Sequence, residues 1–169
     1  KINKNIKRIL STRWIGQGPM VDKFENKFQK VFAKKSFALA TGSGTDSLHL
    51  AYLLAGIKKG DEVITTVFTC TATNIPLLYI GAKIKFADID PRTMNISIPS
   101  VKKLISKKTK AIICVHYGGL PCDLDELQKL AKIGQLAGFK HEGFWQCMDT
   151  MRDKAFLNKL VKQNKIPWK

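Results

Sequence analysis

A chain of 169 residues is long enough for one ordinary domain with a core of its own. Its 44% hydrophobic content, with 12 Gly and 6 Pro, excludes a disordered or fibrous chain. The formal net charge of +16 raises nucleic acid as a partner, but only Arg8, Arg13, Arg92 and Arg152 are arginine among 29 basic residues, and base-reading sites favour arginine, so the charge reads as a solvated lysine surface.

Val21, Phe24, Phe28, Val31 and Phe32 recur at helical spacing in "MVDKFENKFQKVFAKK". "SFALAT" (36–41) reads as a short apolar strand. "GTDSLHLAYLLAG" (44–56) reads as a helix with Gly56 as its C-cap. "KKGDEVITTVF" is a turn feeding a strand, and "CTATNIPLLYIG" a helix in which Pro76 falls in the first turn or makes a kink. "AKIKFADID" is a strand, "PSVKKLISKK" a helix and "TKAIICVHYGG" a strongly apolar strand. "DLDELQKLAK" is a helix with Asp123 as N-cap and Glu126 completing a capping box. Strands that alternate with helices in this way predict an α/β fold with a mainly parallel sheet and helices on both faces. After about Lys132 the alternation stops, and the chain closes with a short amphipathic helical tail in "KAFLNKLVKQNKIPWK".

No apolar run approaches bilayer length, and no charged-then-apolar leader opens the sequence, so a cytoplasmic chain with no membrane partner is expected. Cys70, Cys114, Cys122 and Cys147 form no C-x-x-C pair. Cys114, His116 and Cys122 match no common zinc spacing, so reduced core thiols are expected.

"TGSGTDSLHL" (41–50) places Ser43, Gly44, Thr45 and Asp46 just past an apolar strand and at a helix start. Exposed amides and the helix dipole favour a phosphate there, and a plain Ser/Thr helix cap with nothing bound is the competing reading. It is not a P-loop, because no G-K-[ST] follows.

Three segments decide between these readings: "STRWIGQGPMVDKFENKF", "ATGSGTDSLHLAYLLAGIKKGDEVITTVFTCTATNIPLLYIGAKIKFADIDPRTMNI" and "TKAIICVHYGGLPCDLDEL". Together, over residues ~10–132, they resemble the DegT/DnrJ/EryC1/StrS sugar aminotransferases. That resemblance implies an incomplete large domain of a fold-type-I enzyme over 1–132, with pyridoxal 5'-phosphate (PLP) as cofactor. A nucleotide-linked keto sugar and an amino donor are the implied substrates, and a homo-oligomer or an intact homologue the implied partner. It also implies that the second strand lies between the third and fourth. By position, Gly44, Thr45 and Asp46 would hold the cofactor phosphate. Cys70 would stand where many members put an aromatic ring against the pyridine, and His116 would line the sugar pocket or bond to backbone.

The resemblance further implies a Schiff-base lysine and an acid at the pyridine nitrogen, and the family pattern is left before either is reached. Ser100 and Lys103 have serine-x-x-lysine spacing but lie on a helix with a solvated lysine face, so no catalytic residue is assigned. The tail from 133 to 169 resembles the C-terminal end of glucose-1-phosphate cytidylyltransferase. There Asp149 aligns with a magnesium-binding acid, but a lone acid is a poor magnesium site. The expectation is an aminotransferase truncated at this junction, inactive alone, with exposed apolar faces.

Overall fold

A computed structural model describes residues 2–12, 14–32, 36–131 and 151–165. The chain divides into two compact units, Lys1–Ser47 and Leu48–Lys169. The first holds α1 (Ile2–Ser11) and α2 (Pro19–Phe32), and α3 (Gly44–Leu54) begins in it. Sequence periodicity missed α1. α2 starts as its composition dictates, with Pro19 at the first helical position and Asp22 in the first turn. Phe24, Phe28 and Phe32 stack along it at centroid separations of 5.9 and 4.9 Å, and all three are exposed (59, 43 and 62%).

The expected strand at 36–41 does not form. No described strand pairs with it, and a lone strand cannot satisfy its backbone groups. The Ala40 N–H donates instead to Glu25 Oε1 at 2.7 Å, and Phe37 is 96% exposed.

The second unit is an α/β layer. Its strands are β1 (Glu62–Thr66), β2 (Lys83–Ala87) and β3 (Thr109–Ile112), parallel and in the order β2-β1-β3. This is the second strand between third and fourth that the resemblance implies. Val63 and Ile64, adjacent on β1, point to opposite faces. Val63 packs with Tyr52 of α3, Ile57, Leu77 of α4 (Thr71–Ile80) and Ala82. Ile64 packs with Val101 of α5 (Ile98–Leu104), Leu127 of α6 (Leu124–Ala131), Ala87, Ile96 and Cys122. Helices therefore cover both faces, as alternation predicts. A last helix, α7 (Met151–Lys162), lies in the expected tail.

The helix ends follow local chemistry. α3 stops in a left-handed Gly56 (φ +75°), with Ile57 N–H bonded to Tyr52 O and Gly56 N–H to Leu53 O. Pro76 is the sixth residue of α4, beyond the first turn, and is buried on one face of a continuous helix. Asp123 caps α6 by accepting the Glu126 N–H at 3.0 Å. The reciprocal half of the capping box is replaced, because Glu126 pairs with Lys129 (2.7 Å) and Lys102 (3.1 Å). At the amino edge of the sheet, Glu62 takes Lys85 at 2.7 Å, and that hydrogen bond, with a second from Ser106, holds its carboxyl below the usual range.

Leu77→Ala should lower stability in urea titrations by about 2–5 kcal/mol, since it empties a fully buried site, whereas Phe37→Ala should change it by less than about 0.5 kcal/mol.

Candidate functional site

At the start of α3, Ser43 is the N-cap: its Oγ accepts the Asp46 N–H at 3.1 Å and its carbonyl the Ser47 N–H at 3.0 Å. Thr41 Oγ1 bonds Ser43 O (2.9 Å) and Ser47 Oγ, which fixes the turn. The Gly44 and Thr45 N–H groups have no acceptor among the described residues. Nothing lies within 4 Å of where a Gly44 side chain would begin, so that side of the helix start is open. At Gly42 a Cβ would stand 2.8 Å from Asp46 Oδ2, so the Asp46 carboxylate folds over Gly42 and a side chain there would push it aside. Asp46 can offer an anion only its N–H, which Ser43 already occupies.

In the second unit, parallel strands bring the segments after β1, β2 and β3 to one carboxyl edge, where α/β sheets bind ligands. Cys70 is exposed at the N-cap of α4 and makes no side-chain cap bond. Its position is set by Asn74, which accepts from Thr65 Oγ1 (3.0 Å) and donates to Thr66 O (2.9 Å), and by Tyr52 Oη donating to Thr73 O (3.0 Å). The nearby aromatic is Phe68, whose ring meets Tyr117 at 4.7 Å.

His116 follows β3 and is exposed, but its Nδ1 accepts the Cys122 N–H at 3.0 Å. Nδ1 is thereby committed to backbone, and Nε2 is the nitrogen left to donate outward. Sequence reasoning missed the residue that assembles this edge. Asn95 is 5% exposed; its Nδ2 donates to Leu120 O (3.0 Å) and Pro121 O (3.1 Å), and its Oδ1 accepts the Tyr117 N–H (2.9 Å). An Asn just before an apolar pair in a strand-to-helix connection is a faint signal, indistinguishable in sequence from a turn residue.

Beside it lies a groove of about 620 Å³ lined by Asp90, Arg92, Asn95, Ser97 and Asp123 among others. Arg92 there is committed to Asp90 (2.9 Å), and this hydrogen-bonded guanidinium lowers the Asp90 carboxyl to about 2. Ser100 Oγ accepts the Asp88 N–H at 2.9 Å, and Lys103 is exposed on α5, so that pair forms no site. Cys70, Cys114 and Cys122 are free thiols, and among the described residues no three His, Cys, Asp or Glu gather for a metal. Asp149 and Cys147 lie outside the described residues. No helix among those described is long and apolar enough to cross a membrane.

The sequence signature of the DegT/DnrJ/EryC1/StrS aminotransferase family matches residues 1–138. GDP-perosamine synthase of Escherichia coli O157:H7 is 39% identical over 133 residues, 78% of this chain and 36% of that enzyme. The spore coat polysaccharide biosynthesis protein SpsC of Bacillus subtilis is 36% identical over 129 residues, 76% of this chain and 33% of that protein. Among solved structures, NtdA of B. subtilis with bound cofactor PMP superposes with a TM-score of 0.70 at 30% identity, over 78% of this chain and 30% of that one. E. coli GDP-4-keto-6-deoxy-D-mannose-3-dehydratase with bound hydrated PLP gives 0.65 at 33% identity, over 77% and 35%. The chain thus spans about a third of the relatives it matches, and its α/β layer is part of their fold.

Asn95→Ala leaves two carbonyls and an N–H without their partner; it should cost about 1–3 kcal/mol and speed hydrogen exchange at the Tyr117 amide. Arg92→Ala should raise the Asp90 carboxyl from about 2 part of the way to the ordinary carboxylate range in an NMR titration, since the residue 92 N–H still donates to it. Because the folded value is depressed, any stability the pair adds is present above the ordinary value and is lost as pH falls through about 2.

Proposed function

The chain belongs to the DegT/DnrJ/EryC1/StrS aminotransferase family, and from that premise we propose that residues 1–132 are part of a PLP-dependent large domain of nucleotide-sugar biosynthesis. The observation that supports it best is the start of α3, where the Gly44 and Thr45 amides have no acceptor among the described residues and the Cβ side of Gly44 is open. These amides and the Thr45 hydroxyl seat the cofactor phosphate at the positive end of the helix. Asp46 joins through its N–H, which a phosphate oxygen takes over from Ser43. Cys70, uncommitted at the start of α4, gives the pyridine face a small polarisable contact. His116 offers Nε2–H to an oxygen of a nucleotide-linked keto sugar.

When bound, PLP supplies an electron sink for proton removal beside an amine nitrogen. In this reading the 169 residues hold the phosphate but do not transfer an amino group alone. The lysine at serine-x-x-lysine spacing, Lys103, is solvent-facing on α5, and its Ser100 Oγ is taken by the Asp88 N–H. Residues 133–169 are read as an attached cytidylyltransferase-like end, with Asp149 a vestigial metal ligand. The family match stops near the same point, at residue 138.

One feature favours a second reading, a non-catalytic module that binds an intact aminotransferase subunit or a second copy. It is the exposed Phe24–Phe28–Phe32 stripe, an apolar surface of the kind that marks interfaces.

PLP should bind and pyridoxal, which lacks the phosphate, should not. Thr45→Ala should weaken PLP binding about tenfold, the loss of one hydrogen bond to a charged group. Borohydride treatment followed by peptide mapping should label no single lysine, and glutamate with a keto sugar should give no amino transfer. Equal binding of pyridoxal would sink the phosphate seat. A uniquely labelled lysine with steady turnover would sink the claim of inactivity. Co-purification of an intact homologue, abolished by Phe28→Glu, would favour the second reading.

A further inference from the structure

Cys114 is the second residue beyond the last strand position of β3, and Cys122 lies eight residues later, at the entrance to α6. The intervening segment reverses through Gly118 (φ +59°) and Gly119 (φ +84°) and is held by Asn95 at Tyr117, Leu120 and Pro121. The reversal returns Cys122 to Cys114. Cys122 is 5% exposed in the core beneath α5 and α6, and Cys114 packs against that same cluster while remaining half-buried. The Cys122 thiol donates to the Val115 carbonyl oxygen at 3.2 Å, and the Cys114 thiol is the group that most perturbs its titration. The Cys122 N–H is fixed on His116 Nδ1. Two free thiols therefore pack in one cluster at the neck of the segment that bears His116.

We propose that Cys114 and Cys122 are a redox pair, in which a hydroperoxide oxidises Cys114 and Cys122 resolves it into an intramolecular disulfide. The two sulfurs differ as this division requires. The hydrogen bond from Cys122 lowers the Cys114 thiol to about 7, and the same contact, with burial, pushes the Cys122 thiol up. Cys114 is thus the nucleophile and Cys122 the proton-bearing partner.

The Cys114 thiolate attacks one peroxide oxygen. The O–O bond breaks, the other oxygen leaves as an alcohol or water after taking a proton, and Cys114 becomes a sulfenic acid. Cys122 sulfur then attacks Cys114 sulfur, the S–O bond breaks, and the hydroxyl leaves as water with the Cys122 proton. Two thiols lose two electrons, and the peroxide gains them. The disulfide closes the 115–121 segment covalently, so it fixes the backbone that carries His116. A small-molecule thiol reverses it. None of this depends on cofactor binding.

The test treats the full chain with stoichiometric hydrogen peroxide, alkylates the remaining thiols and maps peptides by mass spectrometry. The Cys114–Cys122 link should dominate over any link to Cys70 or Cys147. It should form about tenfold faster in the folded chain than in denaturing urea, where Cys114 regains an ordinary thiol. Cys122→Ser should trap a dimedone-reactive sulfenic acid at Cys114, and Cys114→Ser should leave Cys122 unlabelled. Should either variant fail to fold, the folded-to-denatured rate ratio of the unaltered chain decides alone. A ratio near one, both thiols recovered free while Cys70 oxidises, or a sulfenic acid on Cys122 overturns the proposal.

Discussion

A single buried carboxamide makes one edge out of separate strand ends. Asn95 follows β2, and its side chain bonds three backbone groups of the segment after β3. The carboxamide itself is buried, and leaving such a group unpaired costs about 1–3 kcal/mol. The geometry that aims the side chain is itself unfavourable. Met94 is held at φ +59°, a conformation that disfavours a side chain, and its N–H is tied to Asp90 O at 2.7 Å. That strain is offset because the turn at 90–95 delivers Asn95 inward. Phe68 against Tyr117 then joins the segment after β1 to the same edge. His116 and Cys122 owe their placement to this bracing.

Beneath that edge, β1 does the sorting. Its five residues alternate so strictly that Val63 and Ile64 seed different cores, and neighbours on both sides satisfy its backbone. Residues 37–41 show the effect of lacking such neighbours. Their apolar composition suits a strand as well as that of β3 does. Strand structure is a property of pairs, however, and among the described residues nothing pairs with them.

The alternation of helix and strand was legible, because period and punctuation are local. Gly56 and Asp123 were readable as helix ends for the same reason. Legibility failed where a side chain had several possible partners. Glu126 has the spacing of a capping box, but two lysines, one of them from α5, outcompete the Asp123 amide by charge. Asn95 looks like any turn residue until its three backbone partners are seen together. Cys114 and Cys122 match no motif, since only the Gly118–Gly119 reversal brings them together. At 43–46 the structure shows the helix cap of the two readings. Ser43 is a cap, and the two amides that precede its bonded partner remain available.

That mixture limits what the seat can do by charge. No lysine or arginine lies between 41 and 47 in a chain of net charge +16. The one ionised group there is Asp46, whose carboxylate stabilises the helix start and repels a dianion by the same field. Elsewhere three carboxylates are paired with cations: Glu62 with Lys85, Asp90 with Arg92, Glu126 with Lys102 and Lys129. On the reading proposed above, a phosphate at α3 would be held by neutral donors and the helix dipole, working against Asp46. Such a seat would discriminate by geometry more than it attracts by charge. It would orient a cofactor whose ring is gripped elsewhere, and by itself would give only weak affinity.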